Sequence, residues 1–395
     1  MKNEQTIKRG AACTGLVGTR VQRTSLLSIV MLVMGLAASV LGAPRPEATP
    51  YQAVDLNPAA LTESWASGVG GGQQVGYGCY GLASSYSVRA MLWTGNADSA
   101  VDLNPYGFTW SGAEDTDGAQ QAGWGRVYYM VGGRHPYLVN YVHAVLWTGS
   151  AASAVDLHPA GFAESWAYGV GGGQQVGEGL IYYYTPKKGG SSVSQYHALL
   201  WTGSAASAVD LHPAGFTSSL AWGVGSGQQV GYGFIHYSTN KKGGSSVSQC
   251  HALLWTGSAA SVVDLHPTGF TSSAAYRVSG GHQVGYGTCT DGIQHALVWA
   301  GSAASVVDLH PAGFTSSIAR GINGVQQVGY GFYSDGTQHA LLWAGNAASV
   351  VDLNTFLPTG FTNAVATGID AAGNIVGHAW SSVNRDDNHA FLWKP

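Results

Sequence analysis

Two residue types recur in this sequence at spacings that suit metal binding or proton transfer. Asp55, Asp102, Asp156, Asp210, Asp264, Asp308 and Asp352 each sit in a Val-Asp-Leu phrase. Histidines pair fifteen residues apart, as His143/His158, His197/His212, His251/His266 and His295/His310. Imidazole and carboxylate together make zinc sites and acid–base sites. Repetition argues against both. An active site needs one asymmetric constellation, so a sevenfold aspartate is expected to accept hydrogen bonds that build its own repeat. If each histidine pair lies opposite across two strands, both rings share a face. Two ligands fall short of the three or four that zinc requires, so the expectation is a polar strand end with a His–Asp hydrogen bond and no metal.

Unrepeated acids are the remaining source of chemistry. They are few: Glu63, Glu114, Asp115, Glu164 and Glu178. Glu114-Asp115-Thr116-Asp117-Gly118 occupies the place of a Gly-rich turn in the other repeats. Its acidic spacing resembles part of a calcium loop but lacks the other oxygen ligands, and a solvated turn is expected. Glu178 replaces the aromatic residue found at Tyr77, Trp124, Tyr232, Tyr286 and Tyr330. It reads either as a general acid or ligand handle or as a tolerated exposed position, and one carboxylate alone does not make a glycosidase. There is no G-x-S-x-G, no H-E-x-x-H and no phosphate-cradling loop, so no catalytic residue and no cofactor is assigned.

The elements that position these residues follow from the repeat itself. A Leu-Trp or Val-Trp pair recurs at Trp93, Trp147, Trp201, Trp255, Trp299, Trp343 and Trp393, 44 to 54 residues apart. Within the Trp201–Trp255 unit four short strands are predicted: over 208–212, over 218–224, over 228–234 and over 251–255. Tight turns such as Gly225-Ser226-Gly227 separate them, and no helical period is present. Four strands per unit and seven units predict an all-β, seven-bladed β-propeller. A β-solenoid is the alternative, but no capping segment follows Trp393. The segment Ala53-Val54-Asp55-Leu56 is expected to supply the outer strand of the last blade, whose own chain ends at His389–Trp393. That clasp would remove the exposed sheet edges.

Departures from the repeat mark a candidate binding face. The loop between the third and fourth strands of a unit is short at Thr290–Ile293 and long in repeats two to four. Arg134 and Tyr137, then Tyr182, Tyr183, Tyr184, Lys187 and Lys188, then Tyr237, Lys241 and Lys242 are expected to cluster on one sector of one rim. Tyr and basic residues beside Ser and Gly make adaptable contacts, and loops on a rigid scaffold carry function. Repeats three and four share a Lys-Lys-Gly-Gly-Ser-Ser-Val-Ser-Gln string, so loop drift after duplication is the competing reading.

The His-Ala-Phe-Leu-Trp phrase at His389–Trp393, with variants opening at His143, His197, His251, His295 and His339, resembles the HAF-type extracellular repeat family. Gly321-Ile322-Asn323-Gly324 followed by Gln327-Val328-Gly329, and Gly368-Ile369-Asp370 followed by Gly373-Asn374-Ile375-Val376-Gly377, are similar to that family's second phrase. His-Pro-Ala-Gly-Phe after Asp-Leu, and Arg89-Ala90-Met91 in place of His-Ala, depart from its pattern. The resemblance covers residues 51–395 and implies a secreted or surface location in bacteria. It carries over no catalytic residues.

The leader fits that location. Lys2, Lys8, Arg9, Arg20 and Arg23 precede an apolar run from Leu26 to Leu41 and the small residues Gly42 and Ala43. Residues 1–43 therefore read as a signal peptide, 44–50 as a linker and 51–395 as the propeller, with an uncleaved membrane anchor as the alternative for the leader. Without the leader, twelve basic and twenty acidic residues remain, a net charge of −8 that leaves no basic footprint for nucleic acid. Cys250 and Cys289, in neighbouring units, are the expected pair if any disulfide forms. Together these readings predict a secreted non-enzymatic module that binds an extracellular glycan, peptide or polymer. A carbohydrate-active enzyme on the same scaffold and a purely structural envelope component are the alternatives.

Overall fold

The computed structural model of the chain describes residues 50–395 apart from 82–86, 133–136, 185–191, 239–245 and 384–386. The expected leader, residues 1–43, lies outside the described residues. The rest is a seven-bladed β-propeller of four-stranded antiparallel blades. Blade 1 runs outward through Glu63–Gly70, Gln73–Tyr80, Ser87–Trp93 and Val101–Asp102. Blades 2 to 6 repeat this order, with inner strands Trp110–Thr116, Glu164–Gly171, Ser218–Gly225, Phe270–Ser279 and Ser316–Ile322. Blade 7 is Asn363–Ile369, Ile375–Trp380 and His389–Lys394, and its fourth strand is the N-terminal Gln52–Asp55. The register Ala53 to Trp393 and Asp55 to Phe391 closes the ring as the sequence predicts. Among the described residues no helix is long and apolar enough to cross a membrane.

The repeated tryptophans hold the blades together. Each is at most 1% exposed, and each stands at or next to the end of a third strand. Trp201 of blade 3 packs with Ala122, Leu146 and Leu157 of blade 2, and six further clusters of the same kind join the other neighbouring blades. The core therefore lies between blades, and truncating one such ring to Ala would cost about 3–5 kcal/mol. Buried serines add a polar tie from blade to blade. The Ser165 hydroxyl accepts the Ala144 N–H at 3.0 Å, and Ser219, Ser273, Ser317, Ser64 and Ser111 repeat the contact.

The glycines flanking the second-strand aromatic serve packing. A Cβ on Gly177 would stand 1.8 Å from the Trp166 carbonyl oxygen, so no larger residue fits. The outer strands are shorter than expected, only two residues each in blades 1 to 6, because a 3-10 turn such as Ala205–Ser207 precedes them and proline follows soon after. The middle strands of blades 2 to 4 are longer than expected. Tyr182, Tyr183 and Tyr184 belong to the strand Gln174–Tyr184, Tyr137 to Tyr137–Trp147 and Tyr237 to Gln228–Ser238. These tyrosines extend hairpins and are not loop residues, in keeping with the strand preference of aromatic side chains.

The cysteine expectation is corrected. Cys250 and Cys289 are both free, as is the buried Cys79. Cys250 pairs in register with Phe234 in blade 4, and Cys289 with Phe270 in blade 5, so each faces its own sheet.

Candidate functional site

Every inner strand carries an extra residue at the same place. The pairing slips between Ala66 and Gly68, and likewise at Ala113/Asp115, Ala167/Gly169, Ala221/Gly223, Ala275/Arg277, Ala319/Gly321 and Ala366/Gly368. A β-bulge re-aims the residue it inserts. The seven inserted residues are Ser67, Glu114, Tyr168, Trp222, Tyr276, Arg320 and Thr367, one from each blade, and all seven line a single cavity of about 250 Å3. A cavity walled by every inner strand lies on the propeller axis. Trp65, Tyr77, Arg277 and His378 complete the wall named here.

Aromatic rings form most of the lining. Trp65 stacks on Tyr77 with centroids 5.0 Å apart, and Tyr168 stacks on Trp222 at 4.3 Å. The Arg320 guanidinium lies 4.5 Å over the Tyr276 ring. Flat faces and a stacked cation suit a planar ligand.

Acid–base groups stand among these rings. Glu114 faces the cavity, and its Oε1 accepts the Trp124 indole N–H at 2.9 Å. Burial raises the Glu114 pKa, opposed by that hydrogen bond and by Arg277 and Arg320. Behind the first ring, Glu178 accepts the Tyr168 hydroxyl at 2.7 Å, and burial pushes its carboxyl up to about 7. Burial, then the Glu178 charge, holds the Tyr168 hydroxyl well above its ordinary value. His378 is driven down to about 4, by burial first and then by Arg320. The Oε2 of Glu178 and the Nδ1 of His378 are buried without a hydrogen-bond partner among the described residues. A buried polar atom left without a partner is costly to the fold.

Sequence reasoning singled out Glu114, Asp115 and Glu178 and misjudged the first two. Glu114 and Asp115 lie on the inner strand, not in a solvated turn; only Asp117 and Gly118 make the turn. Glu178 is 6% exposed, which removes the reading of a tolerated exposed position.

The repeated Asp and His residues build the frame. His143, His197, His251, His295, His339 and His389 each contact the neighbouring aspartate through Nδ1 at 2.6–2.8 Å, and Arg89 takes that place against Asp102. The histidine pairs do share a face: His143/His158 and its three counterparts stack at 4.1 Å. The second ring of each pair contacts the inter-blade serine, as His212 does with Ser219 at 2.8 Å. Among the described residues no group of three His, Cys, Asp or Glu side chains is placed to hold a metal.

Of the expected rim residues, Tyr182 and Tyr183 are exposed, and the Tyr183 hydroxyl lies 3.5 Å from His197 Nε2. Arg134, Lys187, Lys188, Lys241 and Lys242 lie outside the described residues, as do the side chains of Tyr137, Tyr184 and Tyr237.

No family model matches the chain, and no curated protein is similar to it. Solved structures are similar in fold. The acylaminoacyl peptidase of Pyrococcus horikoshii aligns over 85% of this chain and 52% of its own, with 10% identity and a TM-score of 0.51. Puromycin hydrolase aligns over 84% and 53%, at 15% identity and a TM-score of 0.48. The β-propeller domain of the Trilobed protease from Pyrococcus furiosus aligns over 84% and 95%, at 10% identity and a TM-score of 0.48. The chain thus spans about half the length of the first two proteins. At these identities the likeness establishes the propeller fold alone.

The expectation of a non-enzymatic binding module is corrected at this point. It rested on a repeat architecture without nucleophile motifs, yet the same propeller fold occurs in an acylaminoacyl peptidase, so the architecture is no argument against an enzyme. Repetition describes the scaffold, and it left out the one place on the axis where the blades differ.

Proposed function

We propose that the axial cavity is an enzyme-type site, which takes a small ring-bearing molecule, or the ring-bearing end of a larger one, and moves a proton on it. The observation that carries this reading is the ring of inserted residues. Blades that repeat nearly word for word elsewhere place seven side chains of six types, among them a carboxyl and a guanidinium, around one cavity. Structural repetition needs no such variety, whereas catalysis needs an asymmetric constellation.

The roles follow from position. Trp65 with Tyr77, and Tyr168 with Trp222, offer flat faces that orient the ligand ring. Glu114 presents a carboxyl whose burial favours the protonated form, so it can give a proton to the ligand and take one back. Tyr168, on the neighbouring blade 3, donates its hydroxyl to Glu178 and so links that buried carboxyl to the cavity wall. A group titrating near neutrality, as Glu178 does at about 7, serves proton exchange at working pH.

Tryptophan fluorescence of residues 51–395 titrated with indole, phenol and simple phenyl esters and glycosides tests the reading, with turnover followed by NMR. Quenching is expected for at least one ring-bearing compound. It should be lost in Trp222→Ala, while Glu114→Gln should retain binding and lose turnover. Quenching that survives Trp222→Ala, or turnover that survives Glu114→Gln, would refute it.

A further inference from the structure

Charge inside the axial cavity is unevenly matched. Arg277 has its counter-charge in Asp115, with Nη2 3.8 Å from Oδ1, and its Nη1 donates to the Trp222 carbonyl at 2.7 Å. Glu114 and Glu178 are pushed by burial toward their neutral forms. Arg320 is different. It stands on the bulge of blade 6 and is half-buried against the face of Tyr276. Among the described residues no carboxylate or carbonyl oxygen lies within bonding distance of its guanidinium. The guanidinium therefore rests over the Tyr276 ring and lines the cavity with no acceptor bound to it among the described residues. A planar cation held on an aromatic face and left without an acceptor is the arrangement that receives a carboxylate in two parallel hydrogen bonds.

We infer that Arg320, with Arg277 beside it on the neighbouring blade, is the anion-reading subsite of the axial cavity, and that the ligand is a ring-bearing carboxylate. This rests on the axial cavity being the ligand site and adds the chemical class of the ligand. The ring occupies the space between the aromatic faces, and the carboxylate lies toward blades 5 and 6. Glu114 lines the same cavity, and burial pushes its carboxyl toward the neutral form, which leaves Arg320 as a charge without a counter-charge there.

Calorimetric titration of residues 51–395 with indole-3-acetate and with its neutral isostere indole-3-acetamide decides the matter. The acid is expected to bind at least about tenfold more tightly than the amide, the scale of one charge-assisted pair. Arg320→Gln should erase that preference, so that acid and amide bind alike. Arg320→Lys, which keeps the charge and loses the planar fork, should retain part of it. Raising the salt concentration should weaken the acid alone in the unaltered protein, a readout that does not depend on any variant folding. Equal affinities for acid and amide, both abolished by Trp222→Ala, would overturn the carboxylate assignment and leave the axial site standing. Binding of neither compound, or binding of both that ignores Trp222→Ala, would overturn the assignment together with the site beneath it.

Discussion

Arg277 of blade 5 and Asp115 of blade 2 meet across the propeller axis, with Nη2 3.8 Å from Oδ1. Both stand immediately after a bulge, at the position where the other five blades have Gly68, Gly169, Gly223, Gly321 and Gly368. Glycine is set there by crowding: a Cβ on Gly68 would lie 2.7 Å from the Asp115 Cα, and one on Gly223 would lie 2.9 Å from the Arg277 Cα. Two charged side chains at this narrow level are partners by necessity. They also divide the axis, since the cavity lined by the bulge residues and a second one of about 220 Å3 share Arg277 in their walls.

Asp115→Asn should therefore destabilise the propeller by about 1–3 kcal/mol, because Arg277 is left partly buried without its counter-charge. Replacing both residues by glycine restores the arrangement of the other five blades, and the double variant should be more stable than the sum of the two single losses predicts. Chemical denaturation of the two single variants and the double closes the cycle. Strictly additive losses would show that the pair is not coupled.

Glu178 gives a pH signature with a definite sign. Its carboxyl is ordinary when unfolded and titrates near 7 when folded. Between those values the folded state holds the extra proton, so stability falls as pH rises from about 4.5 to 7 and is flat above. Glu178→Gln removes the penalty and keeps an acceptor for Tyr168. The variant should be more stable than the parent at pH 8, by up to about 3 kcal/mol, and the difference should shrink toward nothing by pH 4.5. Thermal melts of both proteins at four pH values would test it, and a difference independent of pH would refute the assignment.

What the sequence disclosed, and what it hid, divide along the same line as scaffold and site. The aspartates of Val-Asp-Leu occur in every repeat, and a residue in every repeat is read correctly as structural: Asp210 holds His197 and the His212 backbone N–H. The clasp was legible because Asp55 has no blade of its own in the chain order. The axial ring was not, because a bulge inserts its residue outside the two-residue period by which strands are read. Tyr168 and Arg320 sit between a constant Ala and a mostly constant Gly, and the variety in that one column was the available signal. Glu114 was noticed but misplaced for the same reason: the inserted residue belongs to the inner strand, so the acidic run read as a turn begins on that strand.

The four histidine stacks should set the acid limit of the fold. His158, His212, His266 and His310 are each depressed by burial first and by the neighbouring histidine second. A histidine whose folded pKa is lowered takes its proton more readily when unfolded, so stability drops as pH falls below about 6.5. Asn57, Asn104 and Asn354 occupy the equivalent place in the other blades, so asparagine is a compatible replacement. Changing all four histidines to asparagine should flatten the loss of stability between pH 6.5 and 5. A curve as steep as that of the parent would place the acid limit elsewhere.

The closing contact runs the other way with pH. His389 on the last strand meets Asp55 on the first at 2.6 Å, and that hydrogen bond, partly offset by burial, raises the His389 pKa. Its stabilisation is complete below the ordinary histidine value and fades as pH rises through the raised one. Asp55→Asn should cost about 1 kcal/mol at pH 6, after allowance for the solvent exposure of the pair, and little at pH 9. Removal of residues 1–56 should do far more. It takes away Leu56, which is wholly buried between blades 7 and 1, and opens the backbone edge of His389–Lys394 to other chains. The truncated protein is expected to associate or aggregate during heating in light-scattering measurements, whereas Asp55→Asn should melt at a lower temperature and remain monodisperse. A truncated chain that melts as the parent does would show that the ring closes without its clasp.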